Sequence, residues 1–173
     1  VPIHVVTPPG VSPDAPVLLA SGGVDTWKMD AHQIFVLLAR LTSMRLLAFD
    51  IAGTGESVVP MTPDGGAEIV RGLVAHARSR SVGNGTVVHL GLSMGGHYSA
   101  RSGLSGDVDA AVVWGGPVEA AFARREARFG MDGIVGNALG FDAPPSADAL
   151  AARLGSFSLR RLLDGSTNAP MLV

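Results

Sequence analysis

Five residues, Gly91-Leu92-Ser93-Met94-Gly95, set the narrowest limit on how this chain can fold. A short apolar run, Val87-Val88-His89-Leu90, precedes them, and a stretch rich in small residues, Gly95-Gly96-His97-Tyr98-Ser99-Ala100, follows. Strand, tight turn carrying a serine, then helix is the context in which G-x-S-x-G has chemical meaning. Glycines two before and two after Ser93 leave room for a strained turn that lifts the hydroxyl clear of the main chain. The helix opening beneath it points unpaired N–H groups at the serine, where a negative charge would develop. The alternative reading of the same five residues is a merely structural turn.

The strand before Ser93 is one of four apolar runs of strand length. The others are Pro16-Val17-Leu18-Leu19-Ala20-Ser21, Arg45-Leu46-Leu47-Ala48-Phe49-Asp50 and Ala110-Ala111-Val112-Val113-Trp114. Helical patterns separate them. Trp27 to Leu41 carries a 3.6-residue stripe of Ala31, Ile34, Phe35, Leu37, Leu38 and Leu41, with Asp25 or Thr26 as cap and His32 as a surface or capping residue. Thr62-Pro63-Asp64 opens a second helix with a cap, a proline at the first helical position and an acid in the first turn. Its buried stripe is Ile69, Val70, Leu73, Val74 and Ala77, while Gly65, Gly66 and Gly72 weaken it by about 1 kcal/mol each relative to alanine. Gly83-Asn84-Gly85 turns the chain into the strand that precedes Ser93. A repeated β-α unit of this kind implies an α/β fold, a three-layer αβα sandwich on a mostly parallel, doubly wound sheet. Ile3-His4-Val5-Val6-Thr7 is an edge strand, because Pro2 cannot donate to a ladder.

In such sheets the ligand crevice lies outside the carboxyl ends of the strands, where Gly22-Gly23, Asp50, Ser93 and Gly115-Gly116 all fall. The glycine pair frees the backbone to present amides, and Gly23 and Val24 are the expected donors of half an oxyanion hole. Asp50 is expected to bond the amides of the glycine-rich loop after it rather than to act chemically. Asp25, Asp50 and Glu119 are the acids placed to support the site. No histidine reads as the base that Ser93 requires: His89 lies within a strand, His97 one turn down the helix, and His4 and His76 on peripheral elements.

From Pro117 to Asn168 the alternation breaks, and residues 117–168 read as a helical excursion forming part of a pocket wall or lid. Short helices are expected over Val118–Phe129, with Arg124, Arg125 and Arg128 on a solvated face, over Ser146–Leu154 and over Ser158–Leu163 with Gly165 as C-cap. Met131, Ile134, Val135, Leu139 and Phe141 either line that pocket or pack beneath it. Pro170 to Val173 reads as a strand, so residues 1–173 are expected to be a partial core, truncated before its last strand or strands.

Composition removes several classes of function. The chain of 173 residues has no cysteine, which excludes disulfides, thiol nucleophiles and thiolate metal sites. Its formal charge of -2 and its single lysine, Lys28, give no basis for a nucleic-acid partner. No stretch is long and apolar enough for a membrane span, and the expectation is a soluble, cytoplasmic protein. Gly53-Thr54-Gly55-Glu56-Ser57 lacks both the third glycine of a dinucleotide fingerprint and the lysine of a phosphate loop, and no motif calls for a cofactor or a metal.

Taken together, three segments resemble the α/β-hydrolase superfamily: Ala20-Ser21-Gly22-Gly23-Val24-Asp25-Thr26-Trp27-Lys28, with its G-G-x-D-x-x-K pattern, the stretch Phe49 to Ser57, and Gly91 to Gly96. With Val112-Val113-Trp114-Gly115-Gly116-Pro117-Val118, they are most similar to the esterase FrsA-like group, which contains polyketide-shortening and C–C bond hydrolases. The resemblance implies that Ser93 is the nucleophile and that the amides of Met94 and of Gly23 or Val24 form the oxyanion hole. It also implies an acid and a catalytic histidine beyond Val173, and a helical domain before Val1. Hydrolysis of an ester or an activated C–C bond of a small carbonyl substrate is then expected of the intact protein, and inactivity of the fragment alone. A homodimer remains open. The competing expectation is a catalytically inactive hydrolase-fold protein used for binding.

Overall fold

The computed structural model describes residues 1–80, 85–123, 130–165 and 168–173. At its centre is a six-stranded sheet of β1 (Ile3–Val6), β2 (Val17–Ser21), β3 (Arg45–Phe49), β4 (Val87–Leu92), β5 (Ala110–Trp114) and β6 (Met171–Leu172). The spatial order is β1-β3-β2-β4-β5-β6. The edge strand β1 runs antiparallel to β3, and every other pair is parallel. The helices are α1 (His32–Thr42), α2 (Pro63–Ser79), α3 (Met94–Leu104), α4 (Glu119–Phe122), α5 (Asp132–Ala138), α6 (Ala147–Gly155) and α7 (Arg160–Leu163). Among the described residues no helix is long and apolar enough to cross a membrane.

The layers follow from strand parity. All five residues of β2 are buried, as expected of a central parallel strand covered on both faces. Leu18 and Ala20 pack with Leu46, Ala48 and Leu90 against Ala31, Phe35 and Ala39 of the α1 segment. Val17 and Leu19 pack with Leu47 and Phe49 against Ile69, Val70, Leu73 and Val74 of α2. Helix α3 lies on the α2 side, over β4 and β5.

Helix α2 has the cap read from its sequence: the Thr62 hydroxyl accepts from the Gly65 amide at 2.9 Å, with Pro63 at the start and Asp64 in the first turn. Its glycines have unequal roles. Gly66 is packed so closely on the Tyr98 ring that a side chain there would overlap it, whereas Gly72 faces open space.

Helix α1 differs from expectation. It starts at His32 rather than Trp27, and its N-cap is Ala31, not Asp25 or Thr26. The Trp27 amide is taken by the Asp30 carboxylate (2.9 Å) and the Lys28 amide by Asp50 (2.8 Å), so this segment forms a separate turn. The stripe is rotated as well: Phe35 and the small Ala39 face the sheet, while Ile34, Leu37 and Leu41 are exposed.

In the excursion, α6 is capped by the Ser146 hydroxyl on the Ala149 amide at 3.2 Å. Helix α7 begins at Arg160, and its C-cap is Asp164 rather than Gly165. The helix expected over Val118–Phe129 is α4; Arg124, Arg125 and Arg128 lie outside the described residues, as do Gly83 and Asn84 of the expected turn.

The register places the functional loops side by side. Ser21 at the end of β2 pairs with Phe49 of β3 and with Gly91 of β4, and Leu92 pairs with Trp114 of β5. Loop 22–28, loop 50–56, Ser93 and Gly115 therefore emerge along one edge of the sheet.

Candidate active site

Ser93 stands between the end of β4 and the first residue of α3, exposed, with φ 53° and ψ -123°. A left-handed φ on a non-glycine residue costs on the order of 1–3 kcal/mol and persists only where neighbours fix it. Here they do. The Ser93 amide donates to the Trp114 carbonyl at 2.9 Å, and its carbonyl accepts from His97 at 3.3 Å. Gly95 allows the first turn of α3 to settle onto the end of β2: a Cβ there would lie 2.6 Å from the Ser21 hydroxyl and 3.0 Å from the Ser21 carbonyl. The strained turn is thus produced by close packing of helix on strand.

Loop 22–28 passes directly over the serine. A Cβ built on Gly23 would stand 2.9 Å from Ser93 Cβ and 3.1 Å from its Oγ. Met94 is the first residue of α3, so its amide has no intrahelical acceptor. Among the described residues, the amides of Gly23, Val24 and Met94 donate to no protein acceptor. Free main-chain amides on the residue after Ser93 and on the loop packed over it are the donors that an oxyanion site requires.

The hydroxyl opens into an apolar cavity of about 180 Å³, whose walls include Val24, Met61, Met94, Phe122, Val135 and Leu154. A larger groove of about 740 Å³ lies on the other side of Val24, between Asp25, Trp27, the segment from Gly53 to Pro60 and helix α5. The excursion residues divide among these places. Met131 and Val135 face the cavity, Ile134 faces the groove, Leu139 packs in the core and the half-buried Phe141 packs against it.

Several solved structures share this fold. One, described as the 2,6-dihydroxy-pseudo-oxynicotine hydrolase, matches with a TM-score of 0.75 at 20% identity, over 98% of this chain and 47% of its own. AbyA5 matches with a TM-score of 0.74 at 19% identity, over 98% of this chain and 54% of its own. A thermostable esterase from Pseudomonas putida ECU1011 matches with a TM-score of 0.65 at 16% identity, over 98% and 57%. The chain has the α/β-hydrolase fold. It spans about half the length of these structures. No family model and no curated protein sequence matches it.

Within this hydrolase fold, the imidazole of neither buried histidine is bonded to the Ser93 hydroxyl. His89 is fully buried in β4, its Nδ1 2.9 Å from the Ser102 hydroxyl, and burial pushes its pKa down to about 3. His97 is enclosed by the rings of Tyr98, Phe122 and Phe157, with Nδ1 3.2 Å from the Pro117 carbonyl; burial lowers its pKa to about 4. His4 and His32 stack edge-on at 6.1 Å, between β1 and the start of α1. His76 lies in the last turn of α2. Among the described residues no group of three or more metal-binding side chains is assembled.

Of the three acids, Asp25 is exposed at the rim of the groove and, among the described residues, accepts only a long hydrogen bond from the Thr26 hydroxyl, at 3.4 Å. Glu119 is engaged at both oxygens: Oε1 by the Ser158 hydroxyl and the Leu159 amide (both 2.8 Å), Oε2 by Arg160 at 3.1 Å. The Ser158 hydrogen bond, ahead of those from Leu159 and Arg160, holds its carboxyl below the ordinary range. These bonds tie α4 to α7. Asp50 is buried and does bond one amide of the following loop, that of Glu56, at 3.0 Å.

Its stronger partner was not foreseen. The ammonium of Lys28, 1% exposed, sits 2.6 Å from Asp50 Oδ2 and 2.5 Å from Glu56 Oε2. Burial by itself would lower the Lys28 pKa and raise that of Asp50. The hydrogen bonds and mutual charge prevail, and Lys28 is raised while Asp50 is lowered. The signal available in the sequence was the single lysine of the chain, placed three residues after Asp25 in a segment that follows a buried strand.

Proposed function

We propose that the intact protein is a serine hydrolase in which Ser93 attacks the carbonyl carbon of an ester or of an activated C–C bond. The reading is carried by one observation: the exposed Ser93, at φ 53°, lies against the Gly23 loop, whose main-chain amides have no protein acceptor among the described residues. As the Oγ–carbon bond forms, the hydroxyl proton passes to a base and the carbonyl oxygen takes the negative charge. The amides of Met94 and of Gly23 or Val24 hold that oxygen. Collapse expels an alcohol, or a carbon leaving group as its enolate, protonated by the same base; water then releases the acyl group and restores the serine. The likeness to solved hydrolases and esterases supports the assignment, as does the FrsA-like pattern from Ala20 to Lys28.

The base is a histidine, oriented by an acid, in parts of the intact protein outside residues 1–173. The apolar cavity beside Ser93 takes the acyl side of the substrate, and its size suits a group no larger than a small ring, since a cavity of about 150 Å³ holds benzene. A fluorophosphonate probe applied to the intact protein tests the assignment: labelling at Ser93, and loss of hydrolysis in Ser93→Ala, are expected. Full hydrolase activity in Ser93→Ala would refute it. The same experiment decides the second reading, a catalytically inactive binding protein, which is favoured by the absence of any imidazole bonded to the Ser93 hydroxyl among the described residues.

A further inference from the structure

We propose that Lys28, Asp50 and Glu56 form a clamp that sets the position of the oxyanion loop over Ser93, making Lys28 a positioning residue for the hydrolysis proposed above. Loop 22–27 must hold the amides of Gly23 and Val24 against a hydroxyl to within about 0.5 Å, and although the Val24 side chain packs in the core, the main chain of the loop is hydrogen-bonded only at its ends among the described residues. The upstream end is Ser21, fixed by β2. Between Gly22 and Thr26 no main-chain hydrogen bond ties the loop to the rest of the described residues. The downstream end is Lys28, where main chain and side chain are both held by one carboxylate: the amide reaches Asp50 Oδ1 at 2.8 Å and the ammonium reaches Oδ2 at 2.6 Å.

Asp50 is a firm anchor. It directly follows Phe49, whose pairing with Ser21 places the carboxylate beside the end of β2. Gly55, at φ 50°, folds over this carboxylate with no room for a side chain, and the Glu56 amide adds a bond at 3.0 Å. The Glu56 carboxylate then takes a second proton of the ammonium. One buried group therefore joins the loop over the nucleophile to the loop that walls the larger groove.

Stability does not account for this arrangement. Removing two charges from water costs several kcal/mol per ion, and apolar residues of similar volume often serve the fold as well or better. A hydrogen-bonded ion pair does fix distance and direction, which apolar packing does not. Positioned donors are worth about 10²–10³ in rate, and small displacements forfeit much of that.

The test compares the intact wild-type protein with Lys28→Met/Asp50→Asn, which removes both charges while keeping an acceptor for the Lys28 amide, and with Glu56→Gln, whose side chain is 64% exposed and whose fold is safe. Two readouts are taken: the inactivation rate by a fluorophosphonate, resolved into kinact and KI, and amide hydrogen exchange of segment 22–28. In folded variants kinact is expected to fall 30-fold or more for the double variant and three- to tenfold for Glu56→Gln. KI should hold, and exchange should rise at least tenfold in segment 22–28 but not in α2 or α3. A folded variant with kinact within a factor of two of wild type overturns the clamp, whatever its exchange. Should the double variant not fold, Glu56→Gln decides alone by the same criteria. A wild-type protein that the probe leaves unlabelled refutes the serine nucleophile instead. Exchange in segment 22–28 then decides the clamp, unchanged rates in Glu56→Gln overturning it.

Discussion

Gly23 and Ser93, seventy positions apart in sequence, face each other so closely that only 3.1 Å separates the serine hydroxyl from the place a Gly23 side chain would begin. This proximity makes Gly23→Ala informative. The added methyl has nowhere to go except into Ser93, 2.9 Å away at Cβ, so loop 22–28 must lift and its amides with it. The substitution is expected to lower kcat/KM about 10²-fold, as loss of an oxyanion donor does, while costing the fold about 1–3 kcal/mol. Ester hydrolysis and urea unfolding of the same variant separate the two effects.

The two buried histidines give the fold an acid-sensitive range. An unfolded chain takes up protons on His89 and His97 near pH 6.5; the native state refuses them until about 3 and about 4, because burial disfavours the charged ring. Near His97, the charge of Arg101 adds to this refusal and that of Glu119 opposes it. Stability is therefore complete above pH 6.5 and declines as the pH falls towards 4, with a slope of up to about 1.4 kcal/mol per pH unit for each imidazole. Urea midpoints between pH 4 and 8 should show this decline. His97→Phe, which keeps the aromatic cluster, should remove its share of the slope.

The order of these elements was largely legible from the sequence, because β2, α2 and the Ser93 turn are specified by near neighbours. Thr62 caps within three residues, and the glycines flanking Ser93 act within two. What could not be read depended on partners far along the chain. The start of α1 moved because the Lys28 amide is bonded to Asp50, twenty-two positions away. Burial of Lys28 followed from the same pairing, which no local pattern announces. The enclosure of His97 required Phe122 and Phe157, brought together only by the packing of the excursion. Separate roles for Val135 and Ile134, one facing the cavity and one the groove, likewise depend on how α5 is seated against the Ser93 edge.

Acyl specificity should respond to Val135, which lines the cavity at Ser93 without belonging to the fully buried core. Val135→Ala opens about two methyl groups of space at a stability cost of about 1–2 kcal/mol. Its optimum in a series of p-nitrophenyl esters is expected to move one or two carbons longer. Ala121→Phe, on the opposite wall, is expected to restrict turnover to the shortest acyl groups while a small fluorophosphonate still labels Ser93. An unchanged chain-length profile in both variants would place the acyl group elsewhere.

Gly66 and Gly72 test how far the glycines of α2 are structural. Both sit in the helix interior, where replacing glycine by alanine contributes about 0.8–1.0 kcal/mol in backbone entropy and helix propensity. At Gly72, the backbone of its own helix and its chain neighbours aside, nothing among the described residues lies within 4 Å of the added methyl, so that gain should appear undiminished as a higher urea midpoint with an unaltered slope. At Gly66 the methyl would overlap the Tyr98 ring, whose hydroxyl is held by the Thr62 carbonyl at 3.1 Å and which meets the rings of His97 and Phe157 in T-shaped contacts. The ring cannot retreat without opening the contact between α2 and α3. Gly66→Ala is therefore expected to destabilise by about 1–3 kcal/mol despite the same propensity gain. Through α3, which begins at the residue after Ser93, it should also slow labelling of the serine, whereas Gly72→Ala should leave that rate unchanged.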